Sequence, residues 1–505
     1  MLKASMPRSL SSSGGPLAFT YRDACDAGHR RRLLLITYSF PPDTAVGALR
    51  WQKFSRYVAE RGWGLDVITL EPSQLPRRDA TGLTDLPPDV SIVGVRQRDV
   101  ALSRLHRGLT ALRRSMLPER SISAAHTRAR PERAGAATGN GPRRRELSKS
   151  QEAWRAYLAL LEYSSSRRWA HDAAKIAINR IADSPAHFAV VSSGPPHMAH
   201  EAGRLVAKRS RMPLVLDMRD PWSIDEGLDF ETAGAAWYTM ARYYERRAVA
   251  AASLIVANTD GARDAMVRVY PDVTHRTVTV MNGFDDDDPP PAAAPWTERF
   301  VIAFAGSIYL DRNPVTLFRA LGLLVARERL TPRDIGVEFM GHVSHFGGRP
   351  VMELAHEAGV GEFVTLHEPR PRREAQAFLA SAALLISLPQ NSRLTVPAKI
   401  FEYMQFNSWV AALSEPRSAT AELLRGTAAD SVAPEDVEGL AAILAKRLAA
   451  FRRGERPGAL ARDPRFSRRR QADVLFDALE RMAMLDYRSH TAGARAATGE
   501  ATESA

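Results

Sequence analysis

The sequence predicts an α/β protein of two units, each a series of short apolar strands alternating with helices. Three observations carry this. Apolar runs such as LLLIT (33–37), LDVITL (65–70) and AALLISL (382–388) recur through the chain, each followed by a polar loop and then a segment of helical period. The loops with unusual chemistry all follow such runs, and in an open parallel sheet those strand ends border one crevice. The chain has 505 residues, 45% of them apolar, enough for two full cores.

Composition narrows the function classes. The net charge of +12 is uneven. Residues 101–150 hold twelve Lys/Arg against three Glu, and residues 1–32 hold six against two acidic residues. These segments contribute +9 and +4, which leaves about −1 for the rest of the chain. A near-neutral body without a basic-aromatic surface argues against specific nucleic-acid binding. Both basic segments lack periodicity over most of their length and are expected to be disordered. Such a segment can hold an anionic membrane surface, bind RNA nonspecifically or stay a solvated loop with no partner, and 101–150 is the one suited to a membrane. A single cysteine, Cys25, rules out an intrachain disulfide and fits a reducing cytosol. No apolar run approaches the ~20 residues of a membrane span, and residues 1–30 lack the apolar core of a signal peptide. The expected location is cytoplasmic, with peripheral contact to the inner face of the plasma membrane.

The expected organisation is a disordered basic tail (1–32), a first domain (33–284) carrying the basic insertion, a linker (285–297), a second domain (298–455), a C-terminal helical segment (456–489) and a disordered tail (490–505). The first domain opens with strand 33–37, an SFPP turn, a loop with Gly47, a helix and strand 65–70, a Rossmann-like start. It lacks G-x-G-x-x-G, which argues against a dinucleotide dehydrogenase. Gly47 could let an anion or sugar approach the backbone. Strand 188–192 ends in SSGPPH, placing His197 at a strand mouth before a helix, where an imidazole can accept a proton or bond a sugar. Strand 213–217 runs into MRDPW; such a charged cluster beside a Trp is costly to bury unless paired. Arg219 is assigned a structural role and Asp220 a place near the acceptor. Strand 277–282 leads to NGFDDDD and the acidic, proline-rich linker.

In the second domain, strand 299–306 breaks at Gly306, and Arg312 in the following loop is a candidate diphosphate clamp. After strand 382–388 comes NSRLTVPAKIFEYMQF. Pro397 suits the first position of a helix, and the amides near Val396–Lys399 could hold an anion. Lys399 and Glu402 follow, a cation for phosphate and a carboxylate for hydroxyls. No metal-ligand spacing, nucleophile elbow or Walker motif is present, so no metal or other cofactor is expected.

In order and spacing, SFPP-x4-G, SSGPPH, LDMRDPW, the Asn-Gly of NGFDDDD, AGSIYLDRNP and VPAKIFEYM resemble the GT-B glycosyltransferases of family 4, in the bacterial branch with an RDPW segment. The resemblance covers about residues 33–484. It implies two Rossmann-like, doubly wound domains facing across a cleft, with a final helix returning to the first domain. It further implies retaining, metal-independent transfer of a hexose from a nucleoside-diphosphate sugar to a glycan or lipid-linked acceptor. On that resemblance Glu402 holds the ribose, and Arg312 with Val396, Pro397 and Lys399 holds the diphosphate. Gly47 and Gly306 permit close approach, and His197 lies near the transferred sugar. His197, Arg312 and Lys399 are the expected catalytic residues. One departure stands out: where many members carry a glutamate eight positions before Glu402, this chain has Leu394. Sugar recognition is therefore expected to differ. A sugar-nucleotide epimerase and a catalytically silent nucleotide-sugar-binding protein are the alternatives.

Overall fold

The computed structural model describes residues 17–24, 31–100, 149–183, 186–224, 230–291, 298–308, 312–389, 393–461 and 463–499. The basic stretch expected at 101–150 lies almost wholly outside them. The described chain forms two compact units. Met281 closes the body of the first, Asn282 to Gln471 belong to the second, and the chain from Ala472 belongs to the first again.

The first unit is built on β1 (Ala18–Arg22), β2 (Arg32–Thr37), α1 (Val46–Glu60), β3 (Gly64–Leu70), β4 (Val90–Val95), α2 (Lys149–Asp183), β5 (His187–Gly194), α3 (Met198–Ser210), β6 (Leu214–Met218), α4 (Phe230–Ala251), β7 (Leu254–Ala257), α5 (Asp260–Val269) and β8 (Thr277–Thr279). Its sheet runs β1-β4-β3-β2-β5-β6-β7-β8. All neighbours are parallel except β1 with β4. The strands read as continuous apolar runs because helices cover both faces; Leu33, Leu34, Leu35 and Ile36 of β2 are all fully buried.

The second unit is built on β9 (Phe300–Ser307), α6 (Val315–Glu328), β10 (Ile335–His342), β11 (Val364–His367), α7 (Arg372–Ala380), β12 (Leu384–Ser387), α8 (Ala398–Tyr403), β13 (Trp409–Leu413), β14 (Asp430–Val432) and α9 (Val437–Arg452). Its sheet is parallel throughout, in the order β11-β10-β9-β12-β13-β14. Strand order reverses between β2 and β5 in the first unit and between β9 and β12 in the second. Ligands bind α/β sheets at such switch points.

Four expectations need correction. The segment 1–32 is not simply a disordered tail: Ala18–Arg22 pairs antiparallel with β4 as an edge strand. Its five residues, AFTYR, were too short a signal inside a polar tail. The linker does not begin at Asp285. That carboxylate is buried and accepts from Arg468 Nε at 2.6 Å, while its carbonyl accepts from Gln405 Nε2 at 2.8 Å. The strand expected over 277–282 ends at Thr279. The tail from 490 is helical as far as Gly499, within α10 (Arg468–Gly499); its alanines are the strongest helix formers.

From Ala472 onward α10 seals the first unit. Ala472, Leu475, Phe476 and Leu479 are buried with Trp51, Phe54 and Trp63. Phe476 meets Phe54 and Trp63 edge-on, at centroid distances of 6.1 and 5.7 Å. Burying such a ring contributes about 1.5–3 kcal/mol. On its outer side Arg61 bonds Asp477 at 2.7 Å and Glu480 at 3.3 Å.

Candidate functional site

At the switch point of the second unit, β9 and β12 pair only at Ile302–Leu384 and Ala303–Leu385. Beyond Ala303 the facing backbone of β9 has no ladder partner, and buried peptide groups need one. Side chains of α8 supply it. The Ala305 N–H donates to Tyr403 Oη at 3.4 Å, and Lys399 Nζ donates to the Ala305 carbonyl at 3.1 Å. The helix after β12 is thereby fixed to the end of β9, and the Lys399 ammonium is held at the strand mouth.

Gly306 follows with φ 140°, a conformation that L side chains rarely adopt; a Cβ there would stand 3.0 Å from Lys399 Nζ. Its ladder partner Gly341 is also left-handed, and a Cβ on it would overlap the Gly306 carbonyl. Both glycines serve close backbone packing beside the lysine.

Lys399 is half-buried, with its ammonium 3.5 Å from the centroid of the Phe304 ring. Burial first, and then the Arg312 guanidinium, push this lysine well below its usual range, against the opposing pull of Glu402. The carbonyl and ring face it touches carry no full negative charge. Arg312 Nη1 donates to the Ser307 carbonyl at 3.0 Å. Glu402, one turn from Lys399, is half-buried, and its Oε1 lies 3.5 Å from Arg372 Nη1. Gly306, Arg312, Lys399 and Glu402 therefore border one strand mouth. Arg372, at the start of α7, joins them; sequence reading missed it because it stands among the arginines of PRPRRE.

Two expected details differ. Pro397 is the cap before α8 rather than its first residue. The helix is only six residues long, so its dipole is small and the cations dominate the potential. Val396 is buried, and Pro397 and Leu394 are half-buried.

The mouth of the first unit is organised around Asp217 at the end of β6. Its fully buried carboxylate accepts from Arg50 Nη2 at 3.0 Å, Arg50 Nε at 3.2 Å, Trp51 Nε1 at 2.8 Å and Ser193 Oγ at 2.8 Å. Burial alone would raise this carboxyl; Arg50, Ser193 and Trp51 outweigh it and hold it below the usual range. Arg219 is buried and donates to the carbonyls of Gly194 (3.2 Å), Gly47 and Pro195. A Cβ on Gly47 would stand 2.5 Å from Arg219 Nη1. Gly47 thus packs closely against Arg219, a contact that by itself calls for a glycine at this position. Asp220 is exposed at the same loop.

His197 caps α3 and stacks on Trp222 with centroids 5.0 Å apart and planes 15° apart. Burial, His200 and Arg219 all hold its pKa well below the usual imidazole range. Sequence reading missed His200 and Arg50. A charged residue on the apolar face of α1, opposite an aspartate at a strand end, was the available signal for Arg50. Among the described residues no group of three or more His, Cys, Asp or Glu side chains gathers as a metal site, and no helix is long and apolar enough to cross a membrane.

No protein-family model matches the chain. Over 202 residues it is 28% identical to D-inositol 3-phosphate glycosyltransferase 1 of Catenulispora acidiphila, covering 37% of this chain and 48% of that protein. The chain thus spans about half the length of the curated relative it matches. Among solved structures, Anabaena Alr3699/HepE in complex with UDP-glucose is similar at a TM-score of 0.52 and 14% identity, covering 91% of this chain and 99% of that one. The N-terminal domain of Candida albicans trehalose-6-phosphate phosphatase is similar at 0.56 and 12% identity, covering 89% and 96%. A glycosyltransferase from Rickettsia africae ESF-5 is similar at 0.52 and 12% identity, covering 91% and 97%. These likenesses establish the fold: two Rossmann-like units of the GT-B type.

Proposed function

We propose that the protein is a glycosyltransferase that moves a hexose from a nucleoside-diphosphate sugar to a glycan or lipid-linked acceptor, with retention of configuration. The observation that carries this reading is the second unit's strand mouth. Lys399 and Arg312 place positive charge beside Gly306, with the Glu402 carboxylate one helical turn away. A diphosphate matches the cations, and ribose hydroxyls match the carboxylate. The similarity to a structure that holds UDP-glucose supports a nucleotide-sugar ligand.

In the reaction, the bond between the sugar's anomeric carbon and the diphosphate breaks and negative charge grows on the leaving oxygen. Lys399 and Arg312 face that charge and stabilise it more in the transition state than in the ground state. The acceptor hydroxyl bonds the anomeric carbon on the face the diphosphate leaves, and the departing phosphate oxygen takes its proton. No protein nucleophile is required, and the reading assigns no metal to the site. On the acceptor side, His197 would position or polarise a substrate hydroxyl; full transfer rate in His197→Ala would remove it from the mechanism. Asp220, exposed at the same loop, is assigned to the acceptor side. We place the protein at the inner face of the plasma membrane, held by the basic stretch 101–150. Deleting that stretch should weaken binding to anionic liposomes and leave donor binding intact; unchanged liposome binding would reject the membrane role.

Leu394 favours a second reading, a nucleotide-sugar-binding protein without turnover. A panel of UDP-, GDP- and TDP-sugars separates the readings. Transfer or slow donor hydrolysis supports the first, binding without turnover the second, and interconversion of the sugar an epimerase. Absence of binding to every donor would overturn all three.

A further inference from the structure

The first unit carries a cavity of about 590 Å³ against α2 and α4, within the range of small-molecule sites, about 300–1,000 Å³. None of its described lining residues belongs to the proposed reaction. The α2 wall is one helical face: Leu160, Tyr163, Ser164, Arg167, Arg168 and His171 stand at i, i+3, i+4, i+7, i+8 and i+11. Met240 and Tyr244, one turn apart, line it from α4. The rings of Tyr163 and Tyr244 lie 5.8 Å apart and 8° from parallel, and Tyr163 is buried. With Leu160 and Met240 they give the cavity an apolar, aromatic surface.

The charge around this surface is unbalanced. Asp172 is the one carboxylate among the described lining residues, and Arg98 occupies it, donating from Nη2 at 2.5 Å and from Nε at 2.9 Å. Arg168 Nε stands 3.6 Å from Asp172, beyond a hydrogen bond. Arg167 makes no hydrogen bond or ion pair among the described residues. Both guanidiniums are exposed, and Leu160 beside them is 50% exposed. The wall also leads inward. Tyr163 Oη accepts from Trp222 Nε1 at 3.3 Å, and Trp222 stacks on His197. Two contacts therefore join the cavity to the strand mouth assigned to the acceptor.

We propose that this cavity binds the phosphate-bearing end of a lipid, with the phosphate on Arg167 and Arg168 and the first methylenes against Leu160, Met240 and Tyr244. A pair of guanidiniums matches phosphate oxygens in geometry and charge. Free phosphate would leave the apolar surface in water, and an uncharged chain would leave the arginines without an anion. Only an anion carried on a hydrocarbon serves both parts of the lining. The use of this ligand as the lipid end of the acceptor rests on the proposed transferase reading; its binding does not.

The test has two arms. The first needs no donor: calorimetric titration of the full chain with dodecyl phosphate below its micelle concentration, beside inorganic phosphate and the uncharged dodecyl maltoside. Dodecyl phosphate should bind once per chain, about tenfold or more tightly than either control. Arg167→Glu and Leu160→Glu should each weaken it about tenfold, the loss of one charged contact. Both side chains are exposed, so the urea midpoint of each variant should stay at the wild-type value. Equal affinity in wild type and both variants would overturn the proposal. So would a control that binds as tightly as dodecyl phosphate: the maltoside would mean apolar adsorption only, and inorganic phosphate a free-anion site. The second arm is kinetic, with whichever donor the panel identifies and a lipid phosphate-linked acceptor. Arg167→Glu should raise acceptor KM about tenfold and leave donor KM unchanged; an unmoved acceptor KM would overturn the acceptor assignment. Failure of the panel to find a donor would reject the reaction, and the first arm would still decide whether the cavity binds a lipid phosphate.

Discussion

The two strand mouths of this molecule treat charge in opposite ways. In the first unit, the Asp217 carboxylate is closed in by Arg50, Trp51 and Ser193, and Arg219 is spent on three backbone carbonyls. Charge there meets its complement within the unit and fixes loops. In the second unit, Lys399 touches a carbonyl and the face of a phenylalanine. Its positive charge meets dipoles and a quadrupole. An arrangement of the first kind builds a scaffold; one of the second kind keeps its favourable interaction for an anion that arrives from solution. The same α/β plan thus yields a structural network around a fully paired buried carboxylate and a candidate binding site around a lysine whose direct contacts are a carbonyl and a ring face.

The largest expected effect lies in the first network. Asp217→Asn leaves a buried arginine without its counter-ion, which costs about 3–5 kcal/mol. A urea titration of the variant should show the lowered midpoint; a change within about 0.5 kcal/mol, the range typical of surface substitutions, would show that the network is not structural. The sign with pH follows from the depressed carboxyl. Its stabilisation is present above the unfolded-state value of about 3.9 and is lost as pH falls through the lower folded-state value.

Lys399→Met should weaken UDP-sugar binding by about 1.5–3 kcal/mol, the worth of a charged hydrogen bond, while leaving the urea midpoint within about 1 kcal/mol of wild type. Its test is a binding titration beside a denaturation curve; a variant that loses stability and keeps affinity would place Lys399 with the scaffold. A smaller effect belongs to Glu402→Ala, about 1 kcal/mol. It should be larger with UDP than with inorganic pyrophosphate, because the carboxylate is assigned to ribose. Equal loss for both ligands would mean that Glu402 acts only by holding Arg372, 3.5 Å from it.

These contrasts explain how far the sequence could be read. Strands buried on both faces announce themselves as apolar runs, so both sheets were legible, as was the position of each chemical motif after a strand. What each motif does was less legible, because it depends on partners far away in the chain. The packing of Gly47 against Arg219, 172 residues on, is not visible in the sequence. Arg50 reads as an ordinary helix arginine until Asp217 is seen across from it. Lys399 and Glu402 were legible because their setting is local: a strand end, a cap and one turn of helix. The departure at Leu394 also stands in the sequence, and the structure leaves that residue half-buried near the same mouth. The edge strand Ala18–Arg22 and the buried Asp285 were missed because short polar segments gain their structure from tertiary partners, β4 and Arg468.

The most direct test of the central claim, that the second unit's strand mouth is a diphosphate grip, is a calorimetric titration of UDP into the full chain in buffers of different ionisation heat. The free lysine is held low by burial and Arg312, and a bound diphosphate would raise it again. Binding at a pH between the two values must then take up protons, approaching one per UDP, and affinity must fall as pH rises through that window. The account predicts this uptake in the wild-type protein and its loss in Lys399→Met. UDP binding with the same proton count and the same affinity in both proteins would contradict it.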